Sequence, residues 1–290
     1  MTSGDTMPRP GRTVAVRVRA LDADSSAVKD DAVATEEPLE IRIAAGGATQ
    51  TLAITMRTPG NDFELAAGFL MGEGVVAHRN DVREIRYCLD RDLSLEQRYN
   101  VVTVELAATE LPEVRNLERH FTLNSACGVC GRAHLDALRD AGVPPVDDPV
   151  TIAPELLYEL PQRMRAAQRV FEETGGLHAA ALFDEDGHVL AVREDIGRHN
   201  AVDKLVGWGL MSGSLPFSRR VLVVSGRAGY EIVQKSIVAR IPIVCSVSAP
   251  SSLAVDLARE FDLTLAGFVR ERRANIYSAP QRIVSPDRIG

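Results

Sequence analysis

The sequence predicts an α/β protein, in which a mixed, partly parallel sheet is covered by helices and joined to a smaller N-terminal α+β part. Three observations carry this. The C-terminal half alternates short apolar runs with helical periods: "RVLVVSG", "AGYEIVQKSIVARI", "PIVCSVSA", "SSLAVDLAREFD" and "LTLAGFV". Short, fully apolar strands between helices belong to a buried sheet with helices over it. The turn signal "DEDG" separates runs 178–183 and 188–193, which adds an antiparallel hairpin. The first third holds mostly β-like runs and a single helical period.

Taken in order, residues 1–12 carry Gly4, Pro8, Pro10 and Gly11 and read as a disordered leader. β-like runs follow at 13–21, 38–44 and 51–57. Residues 60–74 have helical periodicity through Phe63, Leu65, Ala66, Phe69 and Leu70. Two further strands are expected at 84–89 and 100–106. Residues 132–139, "RAHLDALR", have the pattern of an amphipathic helix, and 142–149, "GVPPVDDP", reads as a linker. One long helix is expected over 154–173, stopped by Gly175-Gly176. The division is therefore a leader (1–12), an N-terminal α+β part (13–142) and an α/β domain (150–290).

The composition, 45% hydrophobic and 25% charged, is that of a soluble globular protein. A net charge of −7 argues against a general nucleic-acid binder. The charge is uneven: residues 219–290 hold 11 Lys+Arg and 6 Asp+Glu, a net +5, so residues 1–218 carry −12. A basic C-terminal stretch on an acidic chain suits a local anionic ligand. Residues 1–20 lack a secretory signal pattern, and no apolar run approaches the roughly 20 residues a bilayer requires. Four cysteines in this arrangement do not make a disulfide framework. The expectation is a cytoplasmic protein with no membrane contact.

Cys127 and Cys130 form Cys-x-x-Cys among small residues, "NSACGVCG". Thiols at that spacing reach one sulfur, one metal or each other, and Gly128 and Gly131 free the backbone to bend around them. A helix starting just after them would favour the thiolate. Cys88 and Cys245 stand alone in apolar runs and read as small buried hydrophobes.

Other polar segments follow strands. "EDIGRHNAVDK" places Arg198, His199 and Asn200 at a helix start, where donors bind an anion, with Asp195 as a possible cap. Ser225, Gly226 and Arg227 follow the strand "VLVV", at the sheet edge where α/β ligands bind. In "SVSAPSS", Ser248, Ser251 and Ser252 suit a helix cap or phosphate oxygens. The run Phe268, Val269, Arg270, Glu271, Arg272 and Arg273 sets three arginines beside an aromatic ring, which suits a phosphate and a base. His178 has no partner pattern.

Rival readings differ in chemistry. A structural zinc site would draw on Cys127, Cys130 and His134, but no second Cys-x-x-Cys supplies a fourth ligand. A nucleobase deaminase requires Pro-Cys-x-x-Cys with His-x-Glu; Ala126 stands in the proline's place and no histidine is followed by x-Glu. A thioredoxin-like oxidoreductase lacks its strand-to-helix setting here. A nucleotide-binding module without sulfur transfer explains the arginines and leaves the thiols idle.

Together "SACGVCG", "EDIGRHNAVDK", "SGRAGYEIVQK", "VSAPSSLAVDLA" and "GFVRERRANIY" resemble the formate dehydrogenase accessory sulfurtransferase family. "ITMRTPG" and "TPGNDFELAAGFLMGEGV" fit the same family, so the resemblance runs from about residue 37 to 277. It implies a three-layer sandwich similar to cytidine deaminases, and a homodimer. It implies a sulfur carrier that accepts persulfide sulfur from a cysteine desulfurase. The sulfur then passes to the molybdenum (or tungsten) bis-guanine-dinucleotide cofactor before insertion into formate dehydrogenase. By position Cys127 matches the persulfide cysteine, Cys130 its companion, and residues 268–273 the cofactor-binding stretch. The bound cofactor is then substrate, with Arg198, His199, Asn200, Ser225, Gly226, Arg227 and Ser248 as further candidate contacts. The protein is expected to hold no metal of its own.

Overall fold

The computed structural model describes residues 10–88, 99–112, 138–139 and 142–284. Cys127, Cys130 and His134, with nearly all of the helix expected after them, lie outside the described residues.

The chain opens with an antiparallel ribbon, β1 (Thr13–Asp22) and β2 (Ser25–Ala34). β2 is not among the expected strands. Its sequence, "SSAVKDDAVA", is almost wholly exposed, so no buried face imprints an alternating pattern on it. Arg12, expected in the leader, belongs to the fold: its carbonyl accepts Thr35 N–H at 2.9 Å and its guanidinium donates to Asn61.

β3 (Glu37–Ala45), β4 (Ala48–Arg57), β5 (Val82–Tyr87) and β6 (Val101–Leu106) form a sheet of order β4-β3-β6-β5, with β3 and β6 parallel. Helix α1 (Asp62–Gly72) follows β4. The polar residues between them form an internal clamp. Arg57, 0% exposed, forks onto Asp62 through two bonds of 3.2 Å and also donates to Tyr99 C=O and Asn100 Oδ1 at 3.1 Å. Asn61 enters the helix at φ 59°, in the left-handed region that asparagine tolerates better than most residues.

The second sheet has six strands: β7 (His178–Phe183), β8 (Val189–Asp195), β9 (Val221–Val224), β10 (Ile243–Ser246), β11 (Thr264–Arg270) and β12 (Arg273–Ser278). Their order is β12-β11-β10-β9-β7-β8. The central three are parallel, and β7, β8 and β12 run antiparallel to their neighbours, so the sheet is mixed as expected. β12 is a further strand that the sequence reading lacks; the arginine-rich run 268–273 spans the end of β11, the turn and the first residue of β12.

The remaining helices are α2 (Pro154–Ala166), α3 (Arg169–Thr174), α4 (Arg198–Ser212), α5 (Tyr230–Val238) and α6 (Ser252–Glu260). The single helix expected over 154–173 is thus two. The Glu194 carboxylate accepts the N–H groups of Val170 and Phe171, at 3.1 and 2.8 Å, and so gives α3 an N-terminus of its own.

Alternation along each strand sends side chains to opposite faces. Ala179, Ala181, Phe183, Val221 and Val223 pack with Leu157, Leu160 and Met164 of α2. Ala180, Leu182, Leu222 and Val224 pack into a larger core with α4, α5 and α6. That core also contains Ile41, Leu65, Leu70 and Val104 of the N-terminal part, so both parts share one interior. The segment expected as a linker is fastened to it: Val146 is 1% exposed, its N–H donates to Phe261 C=O, and its C=O accepts from Arg282 at 2.7 Å. The contact between the parts is a helix crossing. A Cβ on Gly68 of α1 would lie 1.9 Å from Asp203 C=O, and one on Gly207 of α4 would lie 1.8 Å from Glu64 C=O. Only glycine allows that approach at both points.

Candidate functional site

The C-terminal ends of β9, β10 and β11 converge, as they do at the ligand edge of open α/β sheets. Ser246, wholly buried, ties them: its hydroxyl donates to Gly226 C=O at 2.7 Å and accepts Ser248 N–H at 3.1 Å. Ser248 C=O in turn accepts Phe268 N–H at 3.1 Å. Phe268 takes φ 53°, a left-handed conformation uncommon outside glycine. The Ser225–Arg227, Ser246–Ser248 and Phe268 turns are therefore one hydrogen-bonded edge.

His178, at the start of antiparallel β7, faces that edge. Its Nδ1 lies 3.5 Å from Ser225 Oγ, which also accepts Ala179 N–H at 2.9 Å. Gly226 fits between His178 and Arg198: a Cβ there would stand 3.3 Å from His178 Nδ1 and 3.5 Å from Arg198 Cδ. Arg198 opens α4, whose N-cap, Gly197, has no capping side chain. The buried Nε of Arg198 has no hydrogen-bond partner among the described residues. Burial, and then the Arg198 charge, push the His178 pKa down, against a weaker pull from Asp195. The edge therefore presents a guanidinium and an uncharged imidazole beside a helix start without a side-chain cap, an arrangement suited to an anion.

The expected contacts divide. Arg198, Ser225, Gly226, Ser248 and Phe268 come together. His199 turns to α5, its Nδ1 3.2 Å from Glu231, and burial takes its pKa down to about 4 against the pull of that carboxylate. Asn200 is 8% exposed and fully engaged: its amide donates to Met56 C=O at 2.8 Å and Asp195 Oδ1 at 3.0 Å, and it accepts from Thr55 at 3.3 Å. Val269 is core, 0% exposed. Arg227, Arg270, Glu271, Arg272 and Arg273 are exposed. Asp195 does not cap α4 at its first turn; it pairs with Lys204. Ser251 does cap α6, accepting Ala254 N–H at 3.3 Å.

A cavity of about 780 Å³ opens on the α2 side of the same edge. Ser225, His178 and Glu271 line it together with Tyr158, Gln168 and Phe171. Gln168 and Phe171 give no sequence signal, because they lie at the break between α2 and α3 that local periodicity does not reveal. Cys245 is buried in the core, and burial pushes its thiol pKa up, which keeps it uncharged. Cys88 follows β5 and is half-buried. Among the described residues the one grouping of metal-ligand type is Asp184, Asp186 and His188, in the β7–β8 turn. There the Asp184 carboxylate accepts from Asp186 N–H, His188 N–H and the His188 ring, as a turn residue does. No helix among the described residues is long and apolar enough to cross a membrane.

Residues 34–284 match the model of the FdhD/NarQ family. A protein of Streptomyces coelicolor, "Sulfur carrier protein FdhD", is 52% identical over 265 residues, 90% of this chain and 92% of that one. One of the same name from Sulfurisphaera tokodaii is 44% identical over 93% of this chain and 98% of that one. A crystal structure of a putative formate dehydrogenase accessory protein from Desulfotalea psychrophila superposes with a TM-score of 0.71 at 23% identity, covering 94% of this chain and 100% of that one. That likeness concerns the fold.

Proposed function

Since the chain belongs to the FdhD/NarQ family, we propose that it is a sulfur carrier serving formate dehydrogenase. One observation carries the reading: the match to relatives named as sulfur carriers runs along nearly the whole of both chains. In this reading Cys127 is the carrier thiol. A desulfurase persulfide gives up its outer sulfur to the Cys127 thiolate; one S–S bond forms as another breaks, the desulfurase leaves as thiolate, and no external oxidant is needed. Cys130 accompanies it. The sulfur then goes to the metal bis-guanine-dinucleotide cofactor, held as substrate at the converged strand ends. Arg198 supports this placement, because a buried guanidinium nitrogen without a partner at a helix N-terminus suits a phosphate oxygen. The protein works in the cytoplasm as a homodimer, with a cysteine desulfurase and formate dehydrogenase as partners.

The test is mass spectrometry after incubation with desulfurase and cysteine. One added sulfur on the Cys127 peptide, absent in Cys127→Ala, is expected. Sulfur loading that persists in the alanine variant sinks the assignment. Metal analysis of the same sample addresses the rival reading: about one zinc per chain, resisting mild chelation, points to a structural Cys-x-x-Cys site instead.

A further inference from the structure

The ribbon of β1 and β2 has no core of its own. Its strands pair from Thr13–Ala34 to Asp22–Ser25 without a bulge, and among the described residues they join no other strand. The base is fastened through Arg12 C=O, which accepts Thr35 N–H. The rest stands in solvent: Val14, Leu21, Val28 and Val33 are between 40% and 75% exposed. A lone two-stranded ribbon is marginal in water, and three or more strands are needed for independent stability. Native edges are blunted by prolines, bulges or charges. This ribbon has neither proline nor bulge; its guard is the run Lys29, Asp30 and Asp31 on β2. Those charges block indiscriminate pairing, and they also select one arrangement.

The Thr35–Arg12 bond fixes the alternation along β2. Odd-numbered residues bond toward β1, and Val28, Asp30 and Ala32 turn their N–H and C=O groups to the open edge. There the Ala32 N–H meets the carboxylate of Asp31 beside it, at 3.1 Å. A two-fold axis normal to the ribbon keeps each face on its own side, so residues of equal parity stand opposite each other. On β2 one such register joins opposite charges. Lys29 faces Asp31 of the second copy, twice by symmetry, with Ala27 opposite Val33 and Val28 opposite Ala32. Asp30 then meets its own copy, and Arg17, its partner across the ribbon, flanks each carboxylate. On β1, Arg17 and Arg19 stand on one face and Asp22 on the other, so no register pairs opposite charges there.

We propose that β2 pairs with β2 of a second copy of this chain, in the register that sets Lys29 against Asp31. The product is a four-stranded sheet, β1-β2-β2-β1, shared by the dimer. Val28 and Val33 close against alanines on either side of the charged centre. The proposal rests on the homodimer reading above and deepens it by naming the surface. Residues 13–33 precede the stretch that the family model matches, so family membership alone does not supply this surface.

Sedimentation equilibrium on the full chain tests it. Lys29→Asp and Asp31→Lys each put like charges across the seam, twice per dimer, and each should weaken dimerisation about tenfold. Mixed in equal amounts, the two variants again set opposite charges together at both points and should form a heterodimer close to wild type in affinity. The double variant Lys29→Asp/Asp31→Lys should recover in the same way with itself. Recovery also shows that the single variants are folded. Wild-type self-association in both single variants overturns the proposal and leaves the homodimer reading standing. Single variants that stay apart when mixed overturn it as well. A wild-type chain that is monomeric overturns the proposal together with the homodimer reading.

Discussion

Asp195 and Lys204 form an ion pair of 2.6 Å in which both side chains are closed to solvent, at 0% and 1% exposure. Thr58, from the N-terminal part, closes onto it twice: its N–H donates to Asp195 Oδ2 at 3.2 Å and its C=O accepts from Lys204 at 2.9 Å. Asp195 Oδ1 accepts Gly197 N–H and the Asn200 amide. Asp195, Asn200 and Lys204 of the polar run "EDIGRHNAVDK" therefore build a joint between the two parts. Burial lowers the Lys204 pKa, and Asp195 opposes it.

Removing one partner of this pair leaves the other charged and buried. Lys204→Met should cost about 3–5 kcal/mol, seen as a lower urea midpoint. A loss under about 1 kcal/mol contradicts the burial argument. Simultaneous replacement of Asp195 and Lys204 by apolar residues should cost less than the sum of the single changes.

The crossing of α1 and α4 depends on Gly68 and Gly207. A methyl at either would meet the opposite helix's carbonyl at under 2 Å, so the helices must part. Gly68→Ala or Gly207→Ala should destabilise by about 3 kcal/mol, the upper range for overpacking. Gly229 is the control: it has nothing within 4 Å and φ −80°, so Gly229→Ala should stay within about 0.5 kcal/mol by thermal denaturation. Equal stability of all three variants removes the close-approach argument.

His199 gives acid sensitivity. Its folded pKa, about 4, lies below the ordinary histidine value of 6.5, so the unfolded chain binds the proton more readily. Stability is then full above pH 6.5 and falls as pH drops toward 4, on the order of 2 kcal/mol for this partly exposed ring after screening. His178, lowered in the same direction, adds to the slope. Denaturation midpoints measured from pH 7 to 4 should show a shallower fall in His199→Gln; an unchanged slope assigns the effect elsewhere.

Arg272, in the β11–β12 turn next to Glu271, and Arg273, the first residue of β12, are exposed. Each lost arginine–phosphate contact should weaken GDP binding by about 1.5–3 kcal/mol, or roughly tenfold to a hundredfold. Binding should also weaken as salt is added. Identical affinities for wild type, Arg272→Ala and Arg273→Ala at both low and high salt count against phosphate contact here.

The sequence by itself determined the α/β class, the hairpin at "DEDG", the order of strands and helices from residue 178 through β11, and the motifs that identify the family. Those signals are local: apolar periodicity, turn residues, and side chains set at strand ends. It did not reveal β2, whose exposed faces carry no pattern, or the break between α2 and α3, which Glu194 imposes from a distant strand. Only the tertiary structure decided that Asn200 and Asp195 serve a joint while Arg198 meets His178 and Gly226. Only it gave Gln168 and Phe171 a place in a cavity. The reason is physical: a side chain's role depends on which partners satisfy its charge and hydrogen bonds, and those of Lys204 include a carbonyl 146 residues away along the chain.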